Sequence, residues 1–251
     1  MALSAASTPG AHWQRSELVS SYLERREILV PLIGQQEEVV RLLIERHPRA
    51  VGRFLDLGAG DGALSSLVFA ISPQAHGVLV DNSEPMLARV SDRFAATDFR
   101  WHTLRADLDD AAWPAAIPAG HFDLVISGLA IHHLPASSKR RLYMQIYELL
   151  APGGLFVNMD YVTVAGPLRG LFDEDMRAKA LADEHAHDPV DAVGGSRSAE
   201  EVDLEDDHDL PDTVEDQLAW LRAAGFEQVE THFKWAEAAI FGGTRPEGAS
   251  N

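Results

Sequence analysis

The sequence predicts an α/β fold built on a mostly parallel sheet, and three observations support this prediction. Short apolar strand patterns alternate with helical patterns from about residue 50 to residue 162, a rhythm typical of βαβ units. The segment 122–130, FDLVISGLA, is apolar over most of its length, as expected for a strand covered on both faces. A glycine-rich turn, GAGDG, follows the first strand pattern, which is where parallel α/β sheets place their ligands.

The elements can be assigned in order along the chain. Residues 12–48 carry apolar side chains at helical spacing, and Pro31 and Gly34 divide them into two expected helices. Ser83 is expected to cap a later helix whose first turn contains Pro85. Five strands are expected within 54–57, 77–81, 99–108, 122–130 and 154–162, and an antiparallel hairpin within 227–235 and 237–243.

Composition indicates an ordinary globular protein. The 251 residues, 46% of them apolar, are enough for one large domain. No apolar run approaches the ~20 residues of a membrane helix, and the first residues lack a secretory pattern, so the cytoplasm is the expected compartment. The absence of cysteine excludes disulfides and thiolate metal sites.

The charge is strongly negative and unevenly distributed. The formal net charge is −18, and residues 171–216 hold 17 Asp or Glu against 3 Lys or Arg. Because nucleic-acid binding relies on basic side chains, a nucleic-acid partner is not expected. Residues 163–212 break the alternating pattern and are interpreted as an acidic, lid-like insertion that selects the acceptor. Residues 1–11 are expected to be a disordered tail, and 12–251 a single domain.

The turn Asp56-x-Gly58-x-Gly60-x-Gly62 carries the strongest functional signal. Glycines let the backbone approach a ligand closely, and the helix that follows favours a negative group at its N-terminus. Asp81 ends the next strand, where a carboxylate can accept both ribose hydroxyls of a nucleoside. The simpler alternatives are a tight strand–helix turn and a helix-capping aspartate.

These two elements fit either a nicotinamide dinucleotide or an adenosyl sulfonium, and three features favour the sulfonium. The turn is not the G-x-G-x-x-G dinucleotide pattern. Asp56 would repel a pyrophosphate but can pair with a methionyl ammonium or order the loop. Asp107, after the third strand, can accept from an adenine amino group.

The ordered blocks FLDLGAGDG, VLVDNSEPML, RADL, FDLVISGLAIHHL and LLAPGGLFVNMDYV resemble the class I, Rossmann-like S-adenosylmethionine-dependent methyltransferases, in their small-molecule branch. The resemblance implies a doubly wound, mostly parallel seven-stranded sheet whose last hairpin is antiparallel. It also implies S-adenosylmethionine as cofactor, with Gly58, Ala59 and Gly60 at the methionyl part, Asp81 at the ribose, Asn82 and Met86 beside the adenine, Asp107 and Leu108 at its edge, and Ser127 and Gly128 beside the sulfonium. Tyr22, on an N-terminal helix that often closes over the cofactor in this family, is a further candidate.

His132 and His133 follow the fourth strand and are the candidate catalytic residues. A sulfonium methyl is already activated, so the protein mainly aligns the acceptor, and a histidine base is needed only for a weak nucleophile such as a hydroxyl. The expected reaction is transfer to a nitrogen or oxygen atom of a small molecule. Structural packing of these histidines is the alternative role.

Three other functions remain open at this point. The C-terminal segment from Trp220 to Gly243 is similar to enzymes that make carboxymethylated S-adenosylmethionine for transfer-RNA wobble-uridine modification. A non-catalytic adenosyl-binding module and a nicotinamide dehydrogenase are the others. His185, His187, Asp188 and His208 match no zinc spacing, and acidic runs are usually solvated, so no metal is predicted.

Overall fold

The computed structural model describes residues 11–164 and 209–248. Seven strands form one sheet in the order β3-β2-β1-β4-β5-β7-β6. They are β1 (Arg53–Leu57), β2 (His76–Asp81), β3 (Arg100–Arg105), β4 (Phe122–Gly128), β5 (Leu150–Tyr161), β6 (Glu227–Trp235) and β7 (Ala238–Thr244).

Six α-helices accompany the sheet in the described part of the chain. They are α1 (Ser16–Leu29), α2 (Ile33–Arg46), α3 (Ala63–Ile71), α4 (Glu84–Phe94), α5 (Ala136–Leu149) and α6 (Val214–Ala224). The Ser83 side chain accepts from Met86 N at the start of α4, which has Pro85 in its first turn, so the predicted cap is confirmed.

Strand pairing confirms the predicted fold class. β1 pairs in parallel with both β2 and β4, and β4 pairs in parallel with β5. β7 is antiparallel to both β5 and β6, which makes β6 the edge strand. From β1 the chain builds β2 and β3 on one side and then crosses to the other side of β1 to form β4. This reversal of strand order creates a crevice at the carboxyl ends of β1 and β4.

The central strands are buried on both faces, and successive side chains of a strand point to opposite faces. Leu55 of β1 packs in the core that contains Tyr143 of α5 and Leu221 of α6. Phe54, one residue earlier, packs in the other core with Val40 of α2 and Phe69 of α3. The apolar character of the central strands follows from this double coverage.

The largest difference from the expected element bounds is at β5, which begins at Leu150 rather than at residue 154. Phe122 pairs with Leu150 but Leu124 pairs with Leu155, so the intervening residues form a bulge that includes Gly153 at φ +74°. The sequence APGG favours a turn, and the flanking pairing absorbs that turn into the strand.

The predicted tail lies outside the described residues except for Ala11, which opens a short 3₁₀ helix, Ala11–Gln14. The predicted insertion lies outside them from 165 to 208. Its two ends meet, since Thr163 N donates to Asp212 O at 3.1 Å. None of the described helices is both long and apolar enough to span a membrane.

Candidate active site

A cavity lies at the carboxyl ends of β1, β2, β3 and β4, at the crevice that the chain reversal creates. Helices α1 and α2 close one side of it. The predicted residues among its lining are Tyr22, Asp56, Gly58, Ala59, Gly60, Asp81, Asn82, Met86, Asp107, Leu108, Gly128 and His133. Ser127 and His132 are predicted site residues that do not line it.

The glycine-rich turn adopts backbone conformations that favour glycine. Gly58, Gly60 and Gly62 have φ values of +66°, +54° and +79°. A Cβ on Gly58 would lie 2.1 Å from Ala130 Cβ, whereas a Cβ on Gly60 would meet nothing nearer than Met86 Sδ at 3.9 Å. Gly58 therefore permits close packing of two loops, and Gly60 permits a turn with open space beside it.

Asp81 holds the glycine turn against the end of β2. Its Oδ2 accepts from Gly60 N and its Oδ1 accepts from Ser83 N, each at 2.8 Å. Burial raises the pKa of this carboxyl, although these backbone donors lower it. The carboxylate faces the cavity with fixed orientation, so it is placed to receive hydroxyl donors from a ligand.

Asp56 is a buried carboxylate with an incomplete hydrogen-bond set. Its Oδ2 accepts from the Ser65 hydroxyl at 2.6 Å, and its Oδ1 has no hydrogen-bond partner among the described residues. Burial, opposed by the Ser65 hydrogen bond and aided by the charges of Asp81 and Asp61, raises the pKa of Asp56 to about 7. A cationic ligand group beside it would favour the charged form.

The end of β3 supplies Asp107 and Leu108 to the same cavity. Asp107 Oδ1 accepts from Asp109 N at 2.9 Å, which fixes the carboxylate orientation in a short turn. Leu108 is buried in the core. This part of the cavity wall therefore combines the apolar side chain of Leu108 with the carboxylate of Asp107.

The N-terminal segment contributes residues that sequence reasoning did not select. Trp13 lines the cavity and packs edge-on against Tyr22, with ring centroids 5.1 Å apart. Burial, partly offset by Arg26, raises the pKa of Tyr22 to about 12, so its hydroxyl stays protonated at neutral pH. The available signal was a large aromatic side chain at the start of the helical pattern.

An ion pair joins α1 to the glycine turn. Arg26 Nη1 lies 3.0 Å from Asp61 Oδ1, and Arg93 of α4 donates to the backbone and side chain of the same aspartate. Asp61 lies within GAGDG, yet only its position between glycines distinguished it in the sequence. It aligns α1 over the cavity.

The end of β4 turns sharply into the histidine segment. Leu129, which lines the cavity, has φ +53°, an uncommon value for a non-glycine residue, and its N–H donates to Met159 O at 2.8 Å. Gly128 reaches the cavity, but the Ser127 hydroxyl donates to Leu57 O at 2.7 Å in the sheet. The structure thus assigns Ser127 to strand packing, because its side chain points into the sheet.

The two histidines occupy different environments. His132 is buried, and its Nδ1 lies 2.5 Å from Oδ1 of the buried Asp160. His133 lines the cavity, and its Nδ1 lies 2.7 Å from Asp209 Oδ1. Although burial opposes the charged form of His132, Asp160 and Asp209 together raise its pKa. Only His133 of the pair borders the cavity.

The charged side chains that line the cavity are mostly acidic. Its lining contains six carboxylates, those of Glu37, Asp56, Asp61, Asp81, Asp107 and Asp109. Arg26 is the one Arg or Lys among the described lining residues, and it pairs with Asp61. Such a cavity favours a cationic ligand and disfavours a pyrophosphate.

Comparisons with known proteins agree with this geometry. Residues 54–154 match the family described as a methyltransferase domain. A demethylmenaquinone methyltransferase from Clavibacter sepedonicus is 32% identical over 243 residues, covering 96% of this chain and 92% of that protein. A carboxy-S-adenosyl-L-methionine synthase from Chromohalobacter salexigens is 28% identical over 221 residues, covering 84% and 74%.

Other matches are shorter or more distant. An uncharacterized methyltransferase of Mycobacterium tuberculosis is 34% identical, and the match spans 43% of this chain and 50% of that protein. The crystal structure of human N-acetylserotonin methyltransferase with bound cofactor shares the fold at TM-score 0.62 and 15% identity, over 98% of this chain and 61% of that one.

This chain belongs to the class I S-adenosylmethionine-dependent methyltransferases. The cofactor of this family is S-adenosylmethionine, and the acidic cavity suits its cationic sulfonium and ammonium groups. The alternative of a nicotinamide cofactor is thereby set aside.

Proposed function

We propose that this chain transfers the methyl group of S-adenosylmethionine to a nitrogen or oxygen atom of a small molecule. The observation that carries the proposal is the acidic cavity at the chain reversal, where Asp81 and the Gly58–Gly60 turn face one space. We assign Asp81 to the ribose hydroxyls, Asp56 to the methionyl ammonium and Asp107 to the adenine amino group. The cytoplasm remains the proposed compartment.

The acceptor is proposed to enter beside His133, beyond the end of β4, where Leu134 and Met159 also line the cavity. The acceptor lone pair would form a bond to the methyl carbon in line with the breaking carbon–sulfur bond, whose electron pair stays on sulfur and leaves a neutral thioether. Protein groups supply alignment and exclude water. For a hydroxyl acceptor, the His133 imidazole is near enough to the cavity to take the proton, and Asp209 would stabilise the resulting charge.

A direct test is an acceptor screen that measures S-adenosylhomocysteine formation. We expect the purified protein to bind S-adenosylmethionine at micromolar Kd and to release S-adenosylhomocysteine only with a suitable acceptor. The screen should include amines, phenols and a demethylated naphthoquinol, since one relative is named a demethylmenaquinone methyltransferase. Failure to bind the cofactor at all would refute the proposal, and binding without turnover for any acceptor would favour a non-catalytic module.

Carboxymethyl transfer chemistry is a second candidate, because several relatives are named carboxy-S-adenosyl-L-methionine synthases. Such a function needs a cation for the added carboxylate. Arg26 already pairs with Asp61, so the described lining favours methyl transfer. Mass spectrometry of the bound nucleoside after expression distinguishes the two cofactors.

The pKa of Asp56 leads to a prediction about protons. At pH 7 a carboxyl with a pKa of about 7 is about half protonated, and cofactor binding that places the ammonium beside Asp56 lowers this pKa. We expect up to about half a proton to be released from Asp56 per bound cofactor at pH 7. The measurement is the dependence of the binding enthalpy on buffer ionisation enthalpy.

The matched variant for this experiment is Asp56→Asn, which keeps the shape of the side chain but cannot titrate. The binding enthalpy of this variant should not show the proton release from Asp56 that the wild type shows. Any protonation change of the cofactor itself occurs in both proteins. Equal proton release by wild type and variant would show that Asp56 does not meet the ammonium.

A further inference from the structure

Two histidines and an aspartate from distant parts of the chain converge at the rim of the cavity. His132, His133 and Asp209 can each direct one ligand atom toward a common point, and these atoms lie within 4.8 Å of one another. His132 Nε2 lies 3.5 Å from Asp209 Oδ1, and His133 Nδ1 lies 2.7 Å from the same oxygen. Two imidazoles and a carboxylate form a donor set suited to divalent transition metals.

Asp160 gives His132 the orientation that metal-binding histidines usually have. His132 Nδ1 donates to Asp160 Oδ1 at 2.5 Å, so Nε2 is the nitrogen directed toward Asp209. Asp160 also accepts from Asn158 Nδ2 and from Tyr161 N. A carboxylate behind a histidine in this way fixes the ring tautomer and strengthens the imidazole as a ligand.

The segment that carries Asp209 is anchored to the same region. Leu210 N donates to His132 O at 3.0 Å. The fully buried Lys139 donates to Leu210 O and, at 2.7 Å, to Asp212 Oδ2. These bonds position Asp209 beside the histidines before any ion binds, which lowers the conformational cost of binding.

We propose that His132, His133 and Asp209 bind a zinc ion at the edge of the cofactor cavity. Three protein ligands leave a fourth position open, as in catalytic zinc sites. Zinc is favoured over magnesium because two of the three ligands are imidazoles. The sequence-based expectation of no metal concerned His185, His187, Asp188 and His208 alone. Asp209 is remote from His132 and His133 in the chain, so no local pattern indicated this site.

The open position would take an oxygen or nitrogen of the acceptor, because His133 lines the cavity. A hydroxyl bound to zinc has a lowered pKa and loses its proton to solvent. Its oxygen then forms the bond to the methyl carbon while the carbon–sulfur electrons remain on sulfur. This proposal goes beyond the proposed function: with zinc bound, His133 is a ligand rather than the base, and the ion takes over activation of the hydroxyl. Metal binding can be tested without methyl transfer.

The experiment is a metal titration of the chelator-treated full chain in the absence of cofactor. We expect one zinc ion to bind at micromolar or lower Kd in competition with a fluorescent chelator, and Co²⁺ to give visible absorption typical of nitrogen–oxygen coordination. His133→Ala and Asp209→Ala, at side chains 18% and 44% exposed, should each weaken zinc binding by at least ~10-fold, and Asp160→Asn by about 10–100-fold.

Two double variants serve as controls, with circular dichroism to establish that every variant folds. His76→Ala/His102→Ala removes another close histidine pair, whose ring nitrogens lie 3.3 Å apart. His185→Ala/His187→Ala removes histidines of the acidic segment. Both should bind zinc as wild type does. Zinc binding weaker than ~100 μM, or equal in wild type and the Asp209→Ala variant, would overturn the proposal.

Discussion

Replacing Asp81 with alanine is expected to raise the Kd for S-adenosylmethionine by more than about a hundredfold. The variant loses a charged acceptor for the ribose hydroxyls, and bonds to charged groups contribute ~1.5–3 kcal/mol each. It also loses the bonds that hold Gly60 N and Ser83 N, both at 2.8 Å. Isothermal titration calorimetry with S-adenosylmethionine and S-adenosylhomocysteine measures the effect.

The control for this substitution is Asp92→Ala, at an exposed aspartate of α4, which should leave the Kd unchanged. Asp81→Asn separates binding from folding, because it keeps the side-chain volume. We expect it to fold and still to bind weakly. A Kd within threefold of wild type for both Asp81 variants would show that the ribose lies elsewhere.

Replacing Gly58 with alanine is expected to lower the free energy of unfolding by ~2–5 kcal/mol. A left-handed conformation costs a non-glycine residue ~1–2 kcal/mol, and the Cβ at 2.1 Å from Ala130 Cβ adds an overpacking cost of ~1–3 kcal/mol. For a chain of this size the Tm should fall by about 4–20 °C, as measured by thermal unfolding. Cofactor binding should weaken as the two loops separate.

Three companion variants test this interpretation. Gly58→Ala/Ala130→Gly removes the clash but not the backbone strain, so it should recover part of the lost Tm. Gly60→Ala has the strain without a close contact, and Gly34→Ala has open space and an ordinary φ. The expected order of destabilisation is Gly58, Gly60, Gly34. Equal Tm values for the first two single variants would contradict the role of Ala130.

Sequence patterns predicted the strands, the glycine-rich turn and many of the residues that line the cavity, because these features are local. The acid at the end of each early strand reaches the cavity for a simple geometric reason: parallel strands present their carboxyl ends at one edge. Asp56, Asp81 and Asp107 therefore lie close together in the structure as expected. The β5 bulge was missed because a PGG sequence favours a turn whether or not neighbouring strands pair across it.

Features that depend on distant parts of the chain had no local pattern. Arg26 and Asp61 meet across α1 and the glycine turn, and Asp209 meets His133 only after the chain returns from residues 165–208. In the sequence Asp209 is one acid among many. Ser127 lies in the predicted fourth strand. Its side chain donates to Leu57 O, and this contact depends on how β1 and β4 pair, which the sequence pattern does not show.

The backbone bond between Thr163 and Asp212 also bears on how this protein can evolve. Because this bond holds the chain before residue 165 against the chain after residue 208, we expect a change in length between them to leave the positions of β5 and α6 unchanged. The entropy of closing such a loop grows only slowly with its length. Insertions and deletions at this point therefore cost little free energy, and this part of the chain can change in length between related proteins while the sheet stays the same.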